Sequence, residues 1–134
     1  MEKGRKNGQS TVEFALLLTL LLMFAVLVIE VSLVFHNYLI VTQLSREAAR
    51  AIALGSKTDE QITADITTNT SWLANTYFLE GTISTVIISP VVTERTQGTN
   101  TTVAIPYRVS IDAPHLGQAI GLTMTATTTM RIER

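Results

Sequence analysis

The sequence predicts an α+β fold, in which one long N-terminal helix packs on a small antiparallel sheet of about three strands. Changes in hydrophobic periodicity along the 134 residues carry this prediction. An apolar run near the N-terminus passes into a stretch where apolar residues recur every three or four positions, the spacing of an amphipathic helix. From about residue 82 the period becomes two, which is typical of strands with one buried face.

The apolar run is long enough to cross a membrane. It extends from Phe14 to Phe35, and a helix of 22 residues is about 33 Å long, close to the roughly 30 Å of a bilayer's hydrocarbon core. Glu30 is its one charged residue and lies near the far end, where a carboxylate costs less than at the bilayer centre. We therefore expect residues 9–36 to form a transmembrane helix.

The charges that flank this run predict its orientation. Lys3, Arg5 and Lys6 precede it, and the next basic residue after it is Arg46. Because basic residues favour the cytoplasmic side, we expect a single pass with a cytoplasmic N-terminus and an extracytoplasmic domain at residues 37–134. The basic cluster is confined to the N-terminal end, so it does not indicate a nucleic-acid-binding surface.

Three interpretations compete for the N-terminal segment. A cleaved secretory signal needs a small-x-small site directly behind the apolar run, but the nearest one, residues 51–53, lies far beyond it. An uncleaved membrane anchor explains length and orientation, but not Gly8 or a carboxylate at Glu13. The third interpretation explains both residues and follows from a family resemblance.

The run Gly8-Gln9-Ser10-Thr11-Val12-Glu13-Phe14 with the leucines after it, and the Met-Arg-Ile-Glu-Arg ending, resemble TadE-like minor pilins (pseudopilins) of tight-adherence, or type IVc, pili. The resemblance implies a pilin-like fold and a prepilin peptidase that removes the leader, residues 1–8, by cutting after Gly8. It also implies a bacterial inner-membrane protein that joins other pilin subunits and the pilus-assembly machinery in a pilus or secretion filament and supports adhesion. The alternative is an uncleaved single-pass membrane protein whose outer domain binds a partner or acts as an assembly adaptor.

Glu13 has two interpretations. A carboxylate in the first turns of a helix is stabilised by the helix dipole, by at most about 1 kcal/mol. The resemblance implies a second role, because cutting after Gly8 leaves a cationic α-amino group on Gln9. In a filament core that cation needs a partner, and Glu13 of an adjacent subunit could supply it.

The helical pattern continues beyond the membrane run and ends before a second helical region. Arg46, Glu47 and Arg50 lie off the apolar stripe, and Gly55 is the expected C-cap of a helix over 37–54. A capping box from Thr58 to Gln61 predicts the start of a second helical region, 58–79. The apolar stripe on the first helix consists of Ile40, Leu44, Ala48, Ala51 and Ile52.

Period-two patterns predict strands at residues 82–94, 101–112 and 122–133, with a loop at 113–121. The last strand is the clearest, since apolar residues alternate with threonines along it. Pro90 and Pro106 cannot donate to a ladder, so we expect each at an edge or a bulge.

No motif indicates catalysis, a cofactor or a small-molecule substrate. The chain has no cysteine, and His36 and His115 have no partners at metal-ligand spacing. The sequence therefore predicts a structural protein rather than an enzyme, with no metal site.

Overall fold

A computed structural model of the chain describes residues 3–68, 73, 79–113 and 118–133. The chain divides into two compact units, Met1–Leu33 and Val34–Arg134. The α+β fold with a long N-terminal helix is confirmed. Its elements are α1 (Lys3–Ala53), α2 (Asp59–Thr68), β1 (Leu79–Ile83), β2 (Ile87–Ser89), a 3₁₀ turn (Val92–Glu94), β3 (Asn100–Ala113) and β4 (Gln118–Arg131).

The sheet is antiparallel and is built around β3. One edge of β3 pairs with β4 over its whole length, and the other edge pairs with β1 and then with β2. The described sheet thus has four strands rather than about three, in three rows. The row formed by β1 and β2 is interrupted.

The interruption explains why one expected strand, 82–94, is instead two short strands. Residues 84–86 lie opposite only Ile105 and Pro106, so this row carries one extra residue, as in a β-bulge. Because of the extra residue, odd-numbered residues face the core before the interruption (Gly81 and Ile83) and even-numbered residues face it afterwards (Val86 and Ile88). Beyond Ser89 the chain turns at Pro90 into the 3₁₀ segment.

Pro106 lies in the central strand but faces this interruption. Its carbonyl accepts from the Ser84 N–H at 3.0 Å, so its backbone points toward the β1–β2 row and away from β4. The N–H that proline lacks is therefore not needed by the β3–β4 ladder. The expectation of a bulge is confirmed at Pro106.

Two further boundaries differ from the sequence prediction. Leu79 belongs to β1, whereas the helical region was expected to reach it; α2 ends at Thr68. Residues 118–121 belong to β4 and not to a loop, because β3 continues to Ala113 and supplies partners for them. Pairing with a neighbouring strand overrides the weak local preference of such residues. The rest of both regions, 69–72, 74–78 and 114–117, lies outside the described residues.

The core lies between α1, from Asn37 onward, and one face of the sheet. The predicted helical stripe is confirmed, with Leu44, Ala48 and Ile52 buried and Arg46 exposed. The odd-numbered side chains of β3 form the opposite wall; Val103, Ile105, Tyr107 and Val109 are all fully buried. In β4 the predicted alternation is also present, since Ala126 and Ile132 are buried, whereas Thr125, Thr127 and Thr129 are exposed.

A buried polar contact joins α1 to the centre of the sheet. Asn37 Nδ2 donates to the Tyr107 hydroxyl at 2.8 Å, and both side chains are fully buried. Gly81 of β1 leaves room for the tyrosine, since a Cβ there would lie 2.8 Å from Tyr107 Cε2. The contact therefore requires glycine on β1 and selects one axial position of α1 on the sheet.

The predicted end of α1 and the predicted start of α2 are both confirmed. Gly55 has φ of 64° and donates to Ile52 O at 2.9 Å, while Ser56 N donates to Ala51 O at 3.0 Å, which is a Schellman motif. At α2 the Thr58 N–H donates to Gln61 Oε1 at 3.1 Å, and Gln61 N–H donates to Thr58 Oγ1 at 3.3 Å, the two bonds of a capping box.

The first turn of α2 is tied to the segment after β2 by an ion pair. Arg95 donates from both terminal nitrogens to the Asp59 carboxylate, at 2.6 Å each, and from Nε to Pro90 O at 2.9 Å. Only 3% of the Arg95 side chain is exposed. Bidentate geometry and burial make this pair stronger than an ordinary surface ion pair.

From Asn37 onward α1 runs in the same direction as β4. Asn37 bonds to Tyr107, which lies opposite Met124. Farther along, Ser45 Oγ and Thr128 Oγ1 are 2.7 Å apart, and Glu133 N donates to Ala53 O at 3.3 Å.

The Tyr107 phenol makes the stability of this domain sensitive to alkali. Burial raises its pKa above the ordinary 10.0, opposed in part by the Asn37 hydrogen bond. The unfolded chain therefore loses this proton first, so the contribution is complete below pH 10 and declines as pH rises beyond it. We expect Tyr107→Phe to remove this decline, and to cost about 0.5–1.5 kcal/mol at neutral pH because one buried hydrogen bond from Asn37 is lost.

The measurement is urea unfolding of a chain shortened to residues 34–134, at neutral and alkaline pH. Tyr38→Phe is the control, because it removes a tyrosine that does not bond to Asn37. An equal alkaline loss of stability in wild type and Tyr107→Phe would contradict the assignment.

Candidate functional site

The N-terminal part of α1 presents apolar side chains that nothing in the described chain covers. From Val12 to Val31 the large apolar side chains are 44–72% exposed. Transfer of each from water is worth about 1.5–3 kcal/mol, so their combined exposure exceeds the roughly 5–15 kcal/mol by which a domain is stable. This surface therefore requires lipid or other helices around it.

By length and composition, the stretch Gly8–Ala53 contains the one helix in the described part of the chain that could cross a membrane. The described side chains from Gly8 to Ile29 are all exposed, and Glu30 is half-buried. Phe35, at the far end of the predicted span, is 62% exposed. Leu33 and Val34, just before Phe35, are half-buried, so the exposed apolar surface is interrupted within the last residues of the predicted span.

The Gly8–Gln9 bond, the predicted cleavage point, lies inside α1 rather than in an extended segment. A protease that binds extended chain would have to unwind the helix here. Glycine lowers the cost of unwinding, because it is about 1 kcal/mol less favourable than alanine within a helix. Apart from the adjacent residues and the neighbouring backbone of the helix, no described atom lies within 4 Å of the place where a Cβ on Gly8 would sit, so packing does not require glycine there.

Glu13 lies one helical turn after Gln9 and contacts it. The Gln9 Nε2 amide donates to Glu13 Oε1 at 3.1 Å, and both side chains are exposed. The carboxylate is therefore on the same helix face as the residue that would carry the new α-amino group. Besides the helix dipole and the expected partner on an adjacent subunit, the Gln9 side chain of the same chain is thus a further partner of Glu13.

Lys3, Arg5 and Lys6 belong to the helical backbone of α1, and their side chains lie outside the described residues. The basic leader therefore remains a sequence-level prediction.

Among the described residues no group of three or more His, Asp or Glu side chains is placed to hold a metal ion. His36 is exposed, and His115 lies outside the described residues. Two ionic contacts join α2 to connecting segments in the described part of the domain. Asp59 pairs with Arg95, and Asp65 pairs with Lys57 at 2.6 Å. The Asp65 hydrogen bond and charge raise the pKa of Lys57.

Sequence reasoning missed two contacts that position the domain, Asn37–Tyr107 and Asp59–Arg95. Their partners are 70 and 36 positions apart, and no local pattern connects them. An asparagine on the apolar face of a helix was the one available signal, since a buried amide requires a partner.

A comparison with known protein families gives a match to the N-terminal helix α1. The model of the family described as TadE-like protein matches residues 8–50, about a third of the chain, from the predicted cleavage glycine to near the end of α1. No curated protein and no solved structure matches the chain. Over residues 8–50, which comprise most of its N-terminal helix, the chain is thus similar to the TadE-like family.

Proposed function

We propose that this protein is a minor pilin, or pseudopilin, of a type IVc (Tad) pilus or a related secretion filament that supports adhesion. The observation that carries the proposal is that the TadE-like match covers the helix whose apolar side chains are left uncovered. A helix bundle in a filament and a lipid bilayer both offer such a surface an apolar environment. The protein acts as a structural subunit and not as an enzyme.

In this proposal the chain is first a single-pass inner-membrane protein with Lys3, Arg5 and Lys6 on the cytoplasmic side. A prepilin peptidase then removes residues 1–8 by cutting the Gly8–Gln9 bond. The domain that begins near Asn37 lies outside the membrane and contacts other pilin subunits and the assembly machinery.

The cut changes the electrostatics of the helix start. Gln9 gains a cationic α-amino group, and its Glu13 contact shows that a carboxylate lies within one turn. In an apolar bundle the cation requires a counter-charge, because breaking a buried ion pair typically costs about 3–5 kcal/mol. We propose that Glu13, from an adjacent subunit, supplies it and thereby selects the axial offset between subunits.

The helical conformation of the Gly8–Gln9 bond favours a second candidate, an uncleaved membrane anchor whose outer domain binds a partner or acts as an assembly adaptor. The two candidates differ in the fate of residues 1–8 and in whether Glu13 has a role beyond the helix dipole.

The cleavage proposal is tested by Gly8→Leu and Gly8→Ala. Both substitutions raise helix propensity by about 1 kcal/mol, and neither meets another side chain, since nothing lies within 4 Å. The family resemblance implies a peptidase that needs a small side chain, so Ala should still be cut and Leu should not. The measurement is the size of the membrane-bound protein in a peptidase-competent host.

Loss of cleavage in both variants would indicate that helix unwinding, and not side-chain size, limits the cut. Equal processing of Leu and glycine at this position would argue against cleavage at Gly8.

The pairing proposal is tested by Glu13→Gln, which removes the charge and nearly keeps the shape. Membrane insertion and leader cleavage should survive, whereas recovery in sheared filaments should fall at least about tenfold, because 1.4 kcal/mol already changes an equilibrium by that factor. Glu13→Asp is the matched control; it keeps the charge and should retain partial incorporation. A Glu13→Gln protein that enters filaments as well as wild type would leave Glu13 with the dipole role alone.

A further inference from the structure

Strand β4 has one paired edge and one free edge. Its pairing with β3 is continuous from Asn100↔Arg131 to Ala113↔Gln118, with no inserted residue. Within the described residues no strand pairs with its other edge. A regular edge strand of 14 residues presents a row of backbone donors and acceptors to which another chain can bind.

The backbone groups that point to the free edge belong to threonines. Pro106 O accepts from Ser84, so the even-numbered residues of β3 direct their backbone away from β4 and the odd-numbered ones toward it. Odd-numbered β3 residues lie opposite even-numbered β4 residues, as Ile105 lies opposite Ala126. The N–H and C=O groups of the odd-numbered residues of β4 therefore face outward; these include Thr123, Thr125, Thr127 and Thr129.

This edge lacks the features that prevent strands from pairing. Residues 118–130 contain no charge and no proline, and the strand has no bulge. The opposite edge of the sheet is different. Strand β1 has five residues, β2 has three, and Pro90 follows directly. Only the β4 edge is long and regular enough to receive several hydrogen bonds from a second strand.

The side chains of β4 define the strand that would fit. On the helix-facing side Leu122 is 48% exposed, and Met124 and Met130 are only half-buried, so α1 does not cover this row completely. On the other side the threonines are exposed, and across the β3–β4 pair Thr102 Oγ1 and Thr129 Oγ1 are 2.9 Å apart. An added strand should therefore be uncharged, with apolar residues alternating with hydroxyl or small residues.

A second copy of this chain does not suit antiparallel pairing at this edge. Two β4 strands can pair antiparallel only about a two-fold axis perpendicular to the sheet, which reverses every direction within its plane. Because α1 follows β4 from Asn37 to Ala53, this helical part would run in opposite directions in the two copies. Subunits anchored in one membrane enter it from the same side. The β1–β2 edge of another copy is also unsuitable for pairing with β4, because its two short strands are interrupted at residues 84–86.

We propose that the free edge of β4 docks an uncharged, extended segment of a different filament subunit, by β-strand addition over about seven residues centred on Ala126. The choice of a filament subunit rests on the proposed function, whereas the capacity of the edge to accept a strand does not.

The test uses the full chain in detergent and a defined peptide. The probe is a synthetic peptide with the sequence of residues 118–130, N-methylated at every second residue so that only one of its edges can form hydrogen bonds. This peptide has the alternation that the edge requires and no membrane anchor. Hydrogen exchange of the odd-numbered threonine amides, 123–129, should be fast in the free chain and at least about tenfold slower with peptide. The amides of Ala126 and Thr128 should be slow in both.

Variants separate the backbone from the side chains. Thr125→Pro with Thr127→Pro removes two outward donors but no β3–β4 bond, and should weaken peptide binding about tenfold or more. Thr125→Val with Thr127→Val keeps both donors and should bind as wild type. Unchanged exchange with peptide, or equal binding by the proline variant, would overturn the proposal. If the proline variant does not fold, the hydrogen-exchange measurement on the wild-type chain with and without peptide decides the proposal.

The occupant is tested in cells with Thr127→Cys, since the chain has no other cysteine. The new thiol is alkylated with a photo-activated cross-linker, and on irradiation this reagent is expected to bond to an uncharged segment of another pilus subunit. A cross-linked pair of identical chains would overturn the choice of a different subunit. Peptide binding by a protein that never enters filaments would contradict the proposed function while leaving the strand-binding edge intact.

Discussion

The packing of α1, from Asn37 onward, against the odd-numbered face of β3 is the interaction on which the domain depends. A four-stranded sheet with one apolar face needs a cover, and among the described residues this helix lies against the β3 wall. Tyr107 selects the helix position, because its hydroxyl accepts from Asn37 while Gly81 leaves space for its ring. A substitution at Tyr107 would therefore affect both the buried face of β3 and its packing against Gly81 of β1.

The two parts of α1 therefore differ in composition and in what covers their apolar side chains. From Asn37 onward its apolar stripe is buried by the chain's own sheet. From Val12 to Val31 its apolar residues are exposed all round, and only an external apolar phase can cover them. A subunit that moves from a bilayer to a helix bundle exchanges one such phase for another, so little apolar area need return to water. The TadE-like match spans both parts of the helix.

Local signals in the sequence predicted the features that depend on local physics. The Gly55 C-cap, the Thr58–Gln61 capping box and the alternation along β4 each involve neighbours within a few positions. The division of residues 82–94 was not predictable, because one extra residue reverses the parity and only the register with β3 reveals it. The long-range Asp59–Arg95 pair likewise has no local signature. At the candidate site, Gly8, Gln9 and Glu13 were identified from their order, whereas the Gln9–Glu13 contact required the helix geometry.

The central claim is that a processed form of this chain enters a filament through its N-terminal helix. The most direct test is the intact mass of the wild-type protein recovered from filaments sheared from the surface of its native host. We expect the mass of a chain that begins at Gln9. A filament fraction that contains the chain with Met1 still attached, or a processed chain found only in the membrane fraction, would contradict it.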